Sequence, residues 1–297
     1  ASDNTFDNIR IKVDNKNPLY NAYIELDSIK TKYYKIRDFS LINVTMKDTL
    51  FFRSEFKGGT KGQDYFNLNL YHTINKDNKN VVGIHKSEMK FKDYLWFLNE
   101  KETPDNQIVF DKSFKDFNFD NIILTHENQE ITFMGDIKGK TYKDLKLSFK
   151  NVDLNQITPT DPKFVINGNL DAVINYKQDK SVFQPTASIQ IDGLNINNTN
   201  LGYLNFDITG DETFKKFAVK SSIENDNLES FDVDGTFEIV DKNTILDLQL
   251  KLDKFNLGIL GPLGGDVISN IRGFATGNAS IVGNLKKPEI NGRIYID

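Results

Sequence analysis

The three histidines are the side chains in this chain of 297 residues that are best suited to metal binding or to proton transfer. His72, His85 and His126 share no metal-ligand spacing with one another or with nearby carboxylates. His72 falls on the apolar parity of segment 66–74, which favours a buried histidine with a satisfied hydrogen bond. We therefore expect no metal site and no histidine base.

Acidic and nucleophilic side chains are equally unpromising for catalysis. The Asp-Val-Asp-Gly run at 232–235 is similar to the start of a calcium loop, but it lacks the third acidic ligand and the glutamate that closes such a loop. No Gly-x-Ser-x-Gly, phosphate loop or dinucleotide fingerprint is present, and the absence of cysteine excludes disulfides and thiolate chemistry. We expect a protein without catalytic residues or cofactors; a triad assembled from distant residues is the alternative.

Composition indicates a structure with one wet face and one dry face. Hydrophobic residues make up 38% and charged residues 27% of the chain, between a compact enzyme and a disordered chain. The net charge of -5 and the even spread of Lys and Arg argue against a nucleic-acid partner. No apolar stretch is long enough for a membrane-spanning helix. The chain starts without Met and stops inside a predicted strand, so we expect a piece of a longer protein.

Alternation of apolar and polar residues dominates the chain and predicts β-strands. Leucines at 246, 248, 250 and 252 alternate with Asp, Gln, Lys and Asp, as in a half-buried strand. The same pattern predicts strands at 9–13, 20–27, 35–44, 49–56, 66–74, 131–138, 143–150, 164–174, 187–198, 203–209, 217–223, 231–239 and 277–283.

Helix is predicted only in short pieces. The helical spacing of Phe91, Tyr94, Leu95 and Leu98 predicts a helix near 91–98, and short turns are expected at 153–157 and 257–270. We place a soft boundary at 99–107, which divides the chain into an N-terminal segment 1–106 and a repeat-bearing segment 107–297.

Two features of the second segment give it internal structure. The apolar parity shifts across Asp192-Gly193, which predicts a bulge or a bend. Residues 165–191 and 273–297 both run strand, glycine, strand, polar turn, proline and strand, with the proline near a strand start where a missing N–H is tolerated. A repeated strand-turn-strand unit is typical of an array.

Roughly fifteen strands exceed what one flat open sheet usually holds, so the sheet must fold over. A sealed sandwich, a closed barrel and a long sheet bent into a U with an apolar interior all satisfy this requirement. Composition leaves these three open.

The glycine, turn, proline and strand pattern resembles the C-terminal region of the TamB and AsmA-like family of Gram-negative envelope proteins, best from about Tyr142 to Asp297. The segments ESFDVDGTFEIVDKNTILDLQLKLDKFNLGILGPLGG and SNIRGFATGNASIVGNLKKPEINGRIYI are similar to a Bacteroidota TamB. The resemblance implies an all-β, elongated antiparallel β-taco, a U-shaped groove with an apolar interior and one or two short helices.

The resemblance also implies a function. It points to a periplasmic segment that conducts phospholipid between the inner and outer membranes, held to the inner membrane by an anchor outside these residues. The alternative is a chaperone-like module that assembles outer-membrane β-barrels with a TamA-like partner. The third possibility is a structural β-domain with a sealed core. For the groove, the predicted lining residues are Ile166, Leu170, Ile174, Ile189, Ile191, Phe206, Ile208, Val219, Ile223, Phe231, Val233, Phe237, Ile239, Leu246, Leu248, Leu250 and Leu252.

Overall fold

The computed structural model describes residues 5–14, 16, 21–31, 34–59, 62–158, 164–225, 228–241, 243–260 and 273–297. It divides into two compact units, unit 1 (Ala1–Lys140) and unit 2 (Thr141–Asp297). Both are built almost entirely from antiparallel strands, which confirms the predicted all-β fold with short helices. The predicted boundary at 99–107 stays a prediction.

Unit 1 is an antiparallel meander that splits in two and rejoins. β1 to β5 pair in sequence order, and β10 pairs with β11. Between β5 and β10 the sheet divides: one track runs through β6 and β9, the other through β7 and β8. The strands are β1 (Thr5–Val13), β2 (Ala22–Lys30), β3 (Lys35–Met46), β4 (Thr49–Gly58), β5 (Asp64–Ile74), β6 (Asn80–Ile84), β7 (Ser87–Phe91), β8 (Tyr94–Leu98), β9 (Gln107–Phe110), β10 (Asp116–His126) and β11 (Gln129–Lys138).

Buried polar side chains fill the split. Ser87 is fully buried, and its hydroxyl accepts a hydrogen bond from the backbone N–H of Asn69 at 2.8 Å and donates to the carbonyl of His85 at 2.9 Å. The side-chain amide of Asn99 donates to the carbonyl of Ile84 at 2.6 Å. Backbone groups that lose their ladder partners where the sheet divides are satisfied in this way.

The predicted helix near 91–98 is wrong. β7 and β8 form a hairpin in which Phe91 pairs with Tyr94 and Met89 with Trp96. The two residues between the strands, Lys92 and Asp93, both have positive φ, which is the geometry of a two-residue hairpin turn. The apolar positions in this segment fit both a helix and two short strands, so spacing could not separate them. Because the turn reverses the chain, Leu95 is exposed, whereas a helix would have buried it.

Unit 2 is a meander in which every strand pairs antiparallel with the next. The predicted turns at 153–157 and 257–270 correspond to helix α1 and to a 3-10 helix at Leu257–Leu260, whereas 261–272 lie outside the described residues. The elements are β12 (Tyr142–Asp153), α1 (Leu154–Ile157), β13 (Ile166–Asp179), β14 (Val182–Ile196), β15 (Thr199–Gly210), β16 (Lys216–Asn225), β17 (Leu228–Val240), β18 (Asn243–Asn256), β19 (Phe274–Asn284) and β20 (Glu289–Ile296).

The parity shift at Asp192-Gly193 is a β-bulge, as predicted. The register of β14 against β15 shifts between Ile191 and Leu194, and Gly193 has a φ of 62°. The extra residue returns Leu194 to the buried side of the sheet, where Ile191 also lies.

The same turn occurs before β10 and before β16. The carboxylates of Asp111 and Asp211 each accept hydrogen bonds from the backbone N–H groups two, four and five residues later. Phe114 and Phe214 occupy the left-handed region in these turns, with φ of 55° and 59°. A short side chain that caps several N–H groups holds such a turn without a ligand.

A second repeated feature lies at the C-terminal ends of β12 and β18. β12 and β18 each contain a left-handed residue, Asn151 and Lys254, beside a register shift. Asp153 and Asn256 then accept a hydrogen bond from the backbone N–H two residues on, at 2.9 Å in both cases, and a short helix begins. The repetition therefore extends beyond the two stretches visible in the sequence pattern.

Candidate functional site

Strict alternation gives unit 2 one apolar face. Along β18, Leu248 and Leu250 are half-buried and Leu252 is buried, while Gln249 and Lys251 between them are exposed. Successive side chains of a strand point to opposite faces, so all three leucines lie on one side of the sheet. We call this side the apolar face.

The strand register joins the apolar residues of neighbouring strands into rows across this face. Paired residues on adjacent strands lie on the same side, so each row can be followed from β12 to β19. The helix-side row is Val152, Leu170, Ile191, Leu204, Ile223, Phe231, Leu252 and Gly277; the central row is Phe149, Ala172, Ile189, Phe206, Ser221, Val233, Leu250 and Ala279; the turn-side row is Leu147, Ile174, Ala187, Ile208, Val219, Gly235, Leu248 and Ile281.

Most of the predicted lining residues fall in these three rows. Phe237 and Leu246 pair with each other one position beyond the turn-side row, and Ile239 follows at the strand end. Ile166 pairs with Ile196 beyond the bulge. Their placement on the sheet follows from the register, and their contact with a lipid stays a prediction.

Burial changes across the face from one row to the next. In the helix-side row Val152 is completely buried and Leu170 is 9% exposed. In the turn-side row Ile174 is 37% exposed, and Ile239 beyond it reaches 40%. A core sealed between two sheets would bury every row to a similar degree. The helix-side row is therefore the most buried part of the apolar face, whereas the turn side is half-buried, with exposed positions at Ile174 and Ile239 and a buried ring at Phe217.

The two short helices lie at the closed side. Leu154 in α1 and Leu257 in the 3-10 helix are both buried, as are Phe255 and Ala275 next to the latter. α1 follows β12 directly and contacts both β12 and β13. The capping Asp153 and Asn256 fix the start of each helix in that position.

Aromatic rings occupy the opposite side, at the turns. Phe217 stacks on Phe237 at a centroid distance of 4.8 Å, and Phe214 contacts Phe217 and Phe183 at 5.5 Å each. Tyr176 packs edge-on against Phe214 at 5.7 Å. Phe214 is 40% exposed, whereas Phe217 beneath it is buried. We call this cluster of rings the aromatic border.

Asp211 holds Phe214 in this border. The hydroxyl of Thr213 donates to both carboxylate oxygens of Asp211, at 3.0 and 2.8 Å, and this contact lowers the pKa of the carboxyl below its usual 3.8. Backbone N–H groups of the turn lower the pKa further, against the opposing effect of burial. Hydrogen bonds to the charged form explain the direction.

Sequence reasoning overlooked several members of the face. Leu204 alternates with Phe206 and pairs with both Ile191 and Ile223, and Leu147 and Phe149 alternate along β12. Their period was visible in the sequence. Phe214 had no such signal, because it lies in a polar turn and its position depends on a left-handed backbone conformation.

The histidines do not come together. His72 Nε2 lies 3.0 Å from the side-chain oxygen of Asn80, and His126 Nδ1 lies 2.7 Å from the carbonyl of Leu95. Among the residues that the structure describes, no three His, Asp or Glu side chains are grouped so that they could hold a metal ion. None of the helices in the described ranges is long and apolar enough to cross a membrane.

The family model described as "TamB, N-terminal domain" matches residues 98–296. The chain belongs to the TamB family. As a TamB-family chain it is a cell-envelope protein. The family model differs from the resemblance described under Sequence analysis in the region of the family that it names. The model is of the N-terminal domain and begins at residue 98, whereas the resemblance was to the C-terminal region and began near Tyr142. No curated protein and no solved structure matches the chain.

Proposed function

We propose that the apolar face of unit 2 shields the acyl chains of phospholipid, and that this TamB-family chain is a periplasmic segment along which phospholipid moves between the inner and outer membranes. The supporting observation is that the face runs without interruption across eight paired strands and yet remains accessible along its turn-side row. A continuous, partly accessible apolar surface is unusual for a domain whose strands only build a core.

The energetics of transfer favour such a surface. Each methylene removed from water contributes about 0.8 kcal/mol, so shielding a chain of sixteen carbons contributes roughly 12 kcal/mol. Adjacent strands repeat similar apolar rows, so a chain that leaves one strand meets an equivalent surface on the next. Many equivalent contacts permit sliding, whereas one deep pocket would hold the lipid in place.

The uneven burial suggests how the lipid lies. The side closed by α1 and the 3-10 helix offers no exit, so the headgroup is expected at the aromatic border, where water has access. Lys143 lies there with its ammonium 5.7 Å from the ring centroid of Tyr176. In this proposal no residue has a catalytic role. We also propose that an anchor outside these residues holds the protein to the inner membrane and that a TamA-like barrel protein is its partner in the outer membrane.

A second candidate is a role in the assembly of outer-membrane β-barrels. The observation in its favour is β20, in which all eight residues are exposed and which pairs, among the described residues, only with β19. Ile290, Ile294 and Ile296 lie along this edge. An exposed edge with apolar side chains can take up a strand from another chain.

Photo-crosslinking tests the first proposal. A benzophenone side chain in place of Ile174 should form an adduct with phospholipid in intact cells, detected by mass spectrometry of the purified protein. Leu248→Asp, in the same row, should abolish the adduct while circular-dichroism melting is retained, since an acyl chain would have to pass a hydrated charge. Gln249→Asp, on the opposite face, is the matched control and should leave the adduct intact.

Three outcomes contradict lipid conduction. One is collapse of the melt in Leu248→Asp, which would mean a sealed core. Another is the absence of any lipid adduct in the parent protein. The third is capture of polypeptide instead of lipid at position 174, which would support the assembly role.

A further inference from the structure

Unit 1 carries a cluster of aromatic rings on one face of its sheet. Phe51 of β4 and Tyr71 of β5 pair with each other, while their neighbours Phe52 and Leu70 pair on the other face. His85 continues β6, and its backbone N–H donates to the carbonyl of Asn69 at 2.9 Å. Nothing in the proposed lipid path uses these rings.

The three rings form one platform. His85 stacks on Phe51 with an interplanar angle of 18° and a centroid distance of 6.2 Å, and it lies 5.2 Å from Tyr71. Phe51 and Tyr71 are 6.4 Å apart. Tyr71 lies against the backbone at Gly83, where an added Cβ would come within 2.0 Å of the ring. Glycine at this position therefore allows the tyrosine ring to lie on the strand.

The loop of residues 99–103 lies beside the platform and forms one side of the depression. The side chain of Asn99 donates to the carbonyl of Thr103 at 2.9 Å and accepts from its backbone N–H at 2.9 Å, which fixes residues 99–103. Glu102 has a φ of 51° within this loop. Together the platform and the loop enclose two adjoining depressions of about 500 and 370 Å³, and both are lined by Phe51, His85 and Glu102. Volumes of about 300–1,000 Å³ are typical of small-molecule sites.

Polar groups surround the rings on both sides. Arg53 and Lys86 line one depression, and Thr103 and Asn99 line the other, with Glu102 between them. Arg53 is paired with Glu55, and the Lys86 ammonium lies 4.5 Å from the ring centroid of Phe97, so both cations have a defined position. The site therefore combines a flat apolar floor with donors and acceptors at its margin.

We propose that this depression binds the pyranose ring of a carbohydrate. The face of a pyranose that carries C–H groups is apolar with a slight positive polarity and matches the negative face of an aromatic ring. The hydroxyl groups around the sugar ring both donate and accept, which matches a margin that holds a carboxylate and two cations.

Saturation-transfer NMR with two disaccharides, N,N′-diacetylchitobiose and maltose, tests this assignment on the full chain. At least one should receive saturation, strongest at the ring C–H protons. His85→Ala, an exposed position, and Phe51→Leu, which keeps the apolar volume without the ring, should each raise the Kd about tenfold. Phe114→Leu, which removes an exposed ring from a turn outside the depression, is the control and should bind as the parent does.

Absence of saturation on both sugars with folded protein overturns the proposal. It is equally overturned if His85→Ala and Phe51→Leu, each shown to be folded by its melting curve, bind with the parent Kd. The lipid-crosslinking experiment at position 174 reports on unit 2 alone, so the two proposals fail independently.

Discussion

Single side chains set the positions of the aromatic residues at the turns. Asp211 accepts hydrogen bonds from the Thr213 hydroxyl and from backbone N–H groups of the turn, which lowers its pKa below 3.8. In this turn Phe214 has a φ of 59°, a backbone conformation that phenylalanine rarely adopts, and its ring packs against Tyr176. Asp111 builds the same turn in unit 1, and its pKa is lowered by the backbone N–H of Asp116 first and by Ser113 next.

Asp211→Ala should lower the melting temperature at pH 7 by about 2–4 °C. The folded-state pKa of Asp211 lies below the unfolded value of 3.8, so its stabilisation is present above that value and is lost as pH falls through the folded-state pKa. The difference between parent and variant should therefore shrink in melting curves recorded below pH 3.8. Glu212→Ala is the control; a difference independent of pH would contradict the role assigned to the carboxylate.

At the scale of elements, apolar spacing alone misidentified one segment. Residues 91–98 satisfy helical spacing, yet Lys92 and Asp93 take the left-handed conformations of a hairpin turn and Trp96 is buried against the strands. The strands that were predicted are present because period two continues over many residues, whereas two five-residue strands show too few positions to separate the two periods. No strand was predicted at β6, β9 or β10.

Replacing Lys92-Asp93 by Asn-Gly distinguishes the hairpin from a helix. Asn-Gly is the preferred sequence for a two-residue turn with positive φ at both positions, so the free energy of unfolding should be unchanged or rise by up to about 1 kcal/mol. In a helix the same change would cost more than 1 kcal/mol. Urea unfolding of the parent and of the variant measures this difference in free energy.

At the scale of the whole molecule, the decisive feature is the uneven burial of the apolar face within unit 2. Val152 and Ile174 lie only two rows apart, yet one is completely buried and the other is 37% exposed. Neither a sealed sandwich nor a fully exposed sheet produces this gradient. A surface closed on one side and accessible on the other can both stabilise the unit and remain available to a ligand.

Alanine substitutions at these two positions test the gradient. Val152→Ala should cost about 1–3 kcal/mol because it leaves a cavity in close-packed surroundings. Ile174→Ala removes more carbon atoms but should cost less than about 1 kcal/mol, since its site is already open to water. Urea unfolding would measure both free-energy changes, provided that the dependence of the unfolding free energy on urea concentration is the same in parent and variants. A larger cost at Ile174 would mean that the turn-side row is sealed.

The sequence by itself determined most of the strands, the shared parity of residues such as Leu248 and Leu250, and the bulge at Gly193. These are local properties, because side-chain direction in a strand has a period of two and glycine marks where that period breaks. The family could also be recognised from the sequence, because the repeated pattern of turns and strands is a property of the order of residues along the chain.

Only the tertiary structure decided which row is closed and where the rings of unit 1 meet. Val152 is buried because of its partner strands and the helix that follows it, and nothing in its own neighbourhood in the sequence distinguishes it from Leu147. Phe51, Tyr71 and His85 come together only because β4, β5 and β6 pair in one register and the loop anchored by Asn99 closes beside them. Such contacts join residues far apart in the chain, and an alternating pattern carries no information about them.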